Sequence, residues 1–112
     1  MKLPNAEQAE VEQVKLVDYL LDASHPDNGG KAEFFGRFGF DRDNWKTLAD
    51  ALLKLAQEAE VSRSPMSPHG RKFVIIGRIE TPSGRPAMLQ VIWIIDSGNE
   101  AARLVTAYPA KA

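Results

Sequence analysis

Apolar positions recur at spacings of three and four along the first sixty residues and alternate after Val61. The chain therefore changes from a helical to a strand period near its middle. Val14, Val17, Leu20 and Leu21 predict a helix from about Gln13 to Leu21, led into by a short strand around Ala9–Glu12. Asp22–Gly30 reads as a loop, because Pro26, Asp27, Asn28, Gly29 and Gly30 are all turn formers. A short helix follows from Lys31 to about Phe38 and stops at Gly39. Asp41 is a good N-cap for a longer helix over Arg42–Glu58. Trp45, Leu48, Leu52, Leu55 and Ala59 form its buried stripe, and Lys46, Asp50, Lys54 and Glu58 face water.

Ser64–Gly70 breaks the chain, and the period switches. Arg71–Glu80 alternates, with Phe73, Ile75 and Ile79 on one face and Lys72, Arg78 and Glu80 among the other. Thr81–Arg85 offers proline for a type I turn and glycine for the left-handed position after it, a hairpin signal. Ala87–Ile95 is apolar on both faces, which predicts a central strand covered on both sides or nearly so. Asp96–Asn99 turns the chain again, and Ala102–Tyr108 is a last strand ended by Pro109. Thr106 and Tyr108 share one face of it, with Arg103 on the other. Helices first and strands afterwards predict one α+β domain over 1–112, with N-terminal helices packed on a three- to four-stranded antiparallel β-sheet. Residues 1–60 are mainly helical and 61–112 form the β-meander. A ligand has to use the second, more polar sheet face, at least in part.

Composition narrows this picture only modestly. The 44% hydrophobic and 26% charged content is that of an ordinary globular protein. No apolar run reaches the length of a membrane span, and Met-Lys-Leu-Pro-Asn-Ala lacks a signal peptide's apolar core, so a cytoplasmic protein without membrane contact is expected. The absence of cysteine removes disulfides, thiolate zinc sites and thiol nucleophiles. Charge is uneven: residues 1–60 hold 7 Lys/Arg against 12 Asp/Glu, or −5, and residues 61–112 hold 7 against 3, or +4. The basic half either faces a phosphate-bearing partner or complements the acidic half within one molecule.

His25-Pro26-Asp27-Asn28-Gly29-Gly30-Lys31-Ala32-Glu33-Phe34-Phe35-Gly36-Arg37-Phe38-Gly39-Phe40, preceded by Lys15-Leu16 and Tyr19-Leu20-Leu21, resembles a small bacterial family of uncharacterised function. Val91–Asp96 and Arg103–Pro109 resemble that family's end, so the likeness covers nearly the whole chain. Phe38 departs from it, standing where the pattern has leucine. Such domains occur alone and at the C-termini of polymorphic toxins. There they are similar to the ribonucleases that include barnase, EndoU, certain colicins and RelE. The resemblance implies helices before a four-stranded sheet, RNA cleavage without a metal, RNA as substrate and a cognate inhibitor protein as partner.

Within that frame His25 is the candidate acid/base, because imidazole exchanges protons near neutral pH with a ribose hydroxyl or a leaving oxygen. Its plainer role is to pin the Pro26 turn to a neighbouring carbonyl. Lys31 is the candidate phosphate ligand, helped by amides from Asn28 to Lys31 that point out of the helix mouth. Gly-Gly-Lys is not a P-loop, since it lacks the spaced glycines and the Ser/Thr after lysine. Thr106 and Tyr108 are a candidate hydroxyl pair for the scissile phosphate, or simply ordinary strand residues. Arg71 and Arg78 are candidate contacts to the RNA backbone, and His69 matters only where the fold brings it near His25. Asp22, His25 and Asp27 have no second histidine to complete a metal site, so neither metal nor cofactor is expected. Two readings stay open: a metal-independent, toxin-like ribonuclease, and a non-catalytic module that binds protein or nucleic acid.

Overall fold

The change of period separates two layers, helices on one side and a sheet on the other. The structure, a computed structural model, describes residues 1–110. After a 3₁₀ turn at Ala6–Gln8, helix α1 starts as one α turn (Gln13–Lys15) and widens into a π turn (Leu16–Leu20). Helices α2 (Lys31–Arg37) and α3 (Trp45–Glu58) follow. Four strands complete the chain: β1 (Met66–Ser67), β2 (Gly70–Ile79), β3 (Ala87–Asp96) and β4 (Arg103–Pro109). They form one antiparallel sheet in the order β1-β2-β3-β4, an α+β fold with the helices first.

Alternation along the strands sends Phe73, Ile75, Leu89, Val91, Trp93 and Leu104 toward the helices, where they meet Leu16, Leu20, Phe35, Phe40, Leu48 and Leu52 in one core. Burying each such side chain contributes about 1.5–3 kcal/mol relative to leaving it in water. Gly77 faces the same side, and a Cβ there would press on Leu55 of α3, so the missing side chain lets α3 lie close on β2. The β2–β3 turn closes the end of α2. Ser83 N–H donates to the Phe38 carbonyl at 3.0 Å and Arg85 Nη2 to the Arg37 carbonyl at 3.1 Å. These donors satisfy carbonyls that a helix C-terminus leaves free.

Four expectations change. Ala9–Glu12 is no strand: Glu10 alone makes a bridge, parallel to Arg103 of β4. Val14 is exposed; the buried positions are Leu16 and Leu20 of α1 and Leu21 just after it. The π turn, closed by Leu21 N–H on the Leu16 carbonyl at 2.8 Å, changes which side chains face inward. Helix α3 starts at Trp45 rather than Arg42, because the Asp41 carboxylate accepts from the N–H groups of Asp43 and Asn44 in a separate turn. Lastly, Arg103 shares its face with Thr106 and Tyr108. Ile92 pairs with Thr106 and Trp93 with Leu104, leaving Val105 as the extra residue of a β-bulge. The bulge shifts the alternation by one, so Leu104 and Ala107, three apart, both enter the core.

Candidate functional site

The loop after α1 is built from successive tight turns. His25 N–H donates to Asp22 O, Asn28 N–H to His25 O, and Lys31 N–H to Asn28 O, at 3.1, 3.0 and 3.2 Å. Gly29 and Gly30 follow at φ 62° and 87°, which few residues other than glycine accept. Asp22 holds the loop's start: its carboxylate accepts from the Ser24 hydroxyl at 2.6 Å and the Ser24 N–H at 2.9 Å. Those bonds keep the Asp22 carboxyl below its ordinary value, the hydroxyl being the larger cause.

This loop folds back over the π turn and makes a cleft of about 510 Å³ against the bulged strand. Lys15, Asp18 and Tyr19 of α1, His25 and Asp27 of the loop, and Val105 and Thr106 of β4 line it, with exposed Val14 on the rim. Tyr19 sits at its centre. The Tyr19 hydroxyl lies 3.2 Å from Thr106 Oγ1, and the His25 ring meets the Tyr19 ring edge-on at 5.1 Å. The Lys15 and Lys31 ammonium groups stand 5.6 and 5.5 Å from the centroid of that same ring, within cation–π reach. Arg42 Nη2, at 3.6 Å, partly neutralises Asp18.

His25 Nδ1 accepts the Asp27 N–H at 3.0 Å. In the neutral imidazole the ring proton therefore sits on Nε2, and the ring presents a donor there. Lys31 Nζ donates back to the Asn28 carbonyl at 3.2 Å and approaches Tyr19 without itself lining the cleft. Of the amides expected to open the mouth of α2, those of Asn28 and Lys31 are engaged internally. Asn28 and Lys31 N–H close the turns, and Ala32 N–H donates to Asn28 Oδ1 at 2.9 Å.

Thr106 thus joins His25 in one cleft, with Lys31 beside them. Tyr108 does not line it: its hydroxyl accepts from Gln90 Nε2 at 2.6 Å on the uncovered sheet face. Arg71 pairs with Ile95 and Arg78 with Met88, so the two arginines lie on opposite faces of β2, and Arg71 Nε is bound to Ser64 Oγ at 2.9 Å. His69 lies in the β1–β2 turn, where its carbonyl accepts Ser97 N–H, and does not line the cleft. Sequence reasoning missed Tyr19 as the hub and Lys15 as a cleft cation. Their spacing of four within one predicted helix was the available signal. Among the described residues no three His, Asp or Glu side chains gather as a metal site would require, and no helix is long and apolar enough to cross a membrane.

The profile of the domain of unknown function DUF6883 matches residues 2–111, so the chain belongs to that family. No curated protein matches it. One solved structure with the same fold is a chain of the contact-dependent growth inhibition toxin–immunity protein complex from Klebsiella pneumoniae 342. It has a TM-score of 0.74 at 14% identity, covering 96% of this chain and 97% of that one.

Proposed function

We propose, for this member of the DUF6883 family, a toxin-like domain that cuts RNA without a metal ion in the cleft around Tyr19. The convergence of His25, Lys15 and Thr106 on Tyr19, from three separate segments, carries this reading. Likeness of fold to a chain from a toxin–immunity complex supports it and extends it to a cognate inhibitor protein. A cytoplasmic site of action, where RNA is, goes with the same reading.

In the step proposed, the ribose 2′-oxygen bonds to phosphorus as the P–O5′ bond breaks. The 2′-hydroxyl proton goes to Asp27, and the leaving 5′-oxygen takes the Nε2 proton of an imidazolium His25. The products are a 2′,3′-cyclic phosphate and a 5′-hydroxyl. Lys15 and Lys31 offset the charge of the phosphoryl oxygens, and Thr106 donates to one of them.

A second reading, the non-catalytic binding module, is favoured by one specific contact. Protonating His25 puts a hydrogen on Nδ1, opposite the Asp27 N–H that now occupies it. Catalysis needs that amide to turn away, whereas a neutral His25 binds a phosphate oxygen through Nε2 with no change.

The test is incubation of purified protein with total RNA and transfer RNA in EDTA, alongside His25→Ala, Lys15→Ala and Lys31→Ala. Cleavage by the wild type with cyclic-phosphate ends, lost in His25→Ala, supports the enzyme. Retained RNA binding without cleavage moves the assignment to the binding module. Neither binding nor cleavage by the folded wild type rejects both.

A further inference from the structure

Asn28 is the one buried polar residue among those described, 3% exposed, and its side chain joins two helix ends. Its Nδ2 donates to the Tyr19 carbonyl at 2.6 Å and the Leu20 carbonyl at 3.2 Å, at the C-terminal end of α1. Its Oδ1 accepts Ala32 N–H in the first turn of α2. A helix leaves carbonyls unpaired at its C-terminus and amides unpaired at its N-terminus. Only a side chain with both donors and an acceptor satisfies the two ends at once, and the carboxamide does so with two N–H donors for the carbonyls and a separate oxygen for the amide. The backbone of Asn28 belongs to the same device: its N–H bonds the His25 carbonyl, and its carbonyl takes Lys31 Nζ.

We propose that Asn28 is the positioning residue of the cleft, holding the His25–Asp27 turn and Lys31 at fixed places relative to Tyr19. It touches no ligand. It acts by fastening the loop that bears His25 to the carbonyl of the residue whose ring His25 packs against. The binding arm of its test rests on the phosphate-binding reading of the cleft; the spectroscopic arm does not.

The deciding variant is Asn28→Asp, which keeps the shape and the acceptor but removes both Nδ2 protons and sets a carboxylate against two carbonyls. In the spectroscopic arm, ring-nitrogen NMR of the wild type reports the Nε2–H tautomer, and hydrogen exchange reports a slow Asp27 amide. Asn28→Asp loses both signatures while the amides of β3 stay protected. An unchanged tautomer and unchanged exchange in the folded variant overturn the proposal. Where Asn28→Asp fails to fold, the wild type decides: its Asn28 Nδ2 protons exchange slowly, and exchange at the rate of a free amide overturns the proposal.

In the binding arm the probe is a short single-stranded oligonucleotide with 2′-deoxyriboses, which cannot be cut by 2′-oxygen attack. Asn28→Asp and His25→Ala each weaken binding by roughly tenfold, the scale of one lost charge-assisted hydrogen bond. The double variant weakens binding by less than the product of the two single losses, because part of what Asn28 contributes passes through the turn that His25 occupies. Multiplied losses in the double variant overturn the positioning role. A wild type that does not bind the probe rejects the phosphate-binding reading, and the tautomer measurement still decides Asn28.

Discussion

The hydroxyl groups of Tyr19 and Thr106, 87 residues apart in sequence, lie 3.2 Å from one another. This bond clasps α1 to the bulged strand and forms the floor on which His25 and two lysines gather. Tyr19→Phe and Thr106→Val should each cost about 0.5–1.5 kcal/mol in urea unfolding, the usual net value of such a bond. The double variant should cost about as much as either single one. Additive costs would show that the hydroxyls bond to water separately.

Gly70 stands at φ 151°, and a Cβ there would lie against the Ile95 carbonyl and 2.8 Å from Asp96 Cα. Both neighbours are backbone of the adjacent strand and have no rotamer to yield. Gly98, at φ 86°, has nothing within 4 Å of such a Cβ. Gly98→Ala should therefore cost about 1 kcal/mol from backbone strain alone, and Gly70→Ala about 3 kcal/mol or more. Equal losses in equilibrium unfolding would contradict the close approach.

Asp96 and Arg103 form a two-bond ion pair, Nε to Oδ2 at 2.8 Å and Nη2 to Oδ1 at 3.0 Å. The hydrogen bonding from Arg103 holds the Asp96 carboxyl below its ordinary value of 3.8. A carboxyl lowered by folding stabilises fully above its unfolded value and loses that contribution as pH falls through the folded one. The stability difference between the wild type and Asp96→Asn should thus be constant from neutral pH down to about pH 5 and shrink below about pH 4. A difference that fades already between pH 7 and pH 5 would point to another group.

Trp93 is wholly buried in the core, and its Nε1–H has no hydrogen-bond partner among the described residues. Trp93→Phe loses packing volume but removes a buried donor whose desolvation costs about 1–3 kcal/mol. The two effects oppose each other, so the net change in unfolding free energy should stay within about 1 kcal/mol. A loss above about 3 kcal/mol would mean that the indole N–H is bonded, a buried water being the simplest partner.

The layers, the order of elements and the hairpin turns follow from chain-local chemistry. A period of 3.6 or 2 selects helix or strand wherever one face must be buried, and proline, glycine and aspartate set the breaks. Ala87–Ile95 showed its central position by being apolar on both faces, and β3 runs Ala87–Asp96 between β2 and β4, but the helices cover one face only and Met88 on the other is exposed. His25 and Thr106 were recognisable as side chains able to exchange a proton or hold a phosphate, because loop histidines and strand hydroxyls have that chemistry wherever they stand.

Their meeting was not legible. The bulge at Val105 exists only relative to β3, since an extra residue is defined by the strand opposite it, and that shift places Arg103 on the face of Thr106. The π turn, which aims Leu16 and Leu20 inward, is settled by the core they enter rather than by propensity. Asn28 read as one more turn former, and its burial between two helix ends requires both helices to be in place. The sequence by itself determined the order of α2, α3, β2, β3 and β4, because their hydrophobic periods and the turn residues between them are local. Only the tertiary structure decided that Tyr19, His25 and Thr106 share a cleft, because bonds between residues far apart along the chain depend on how the elements pack.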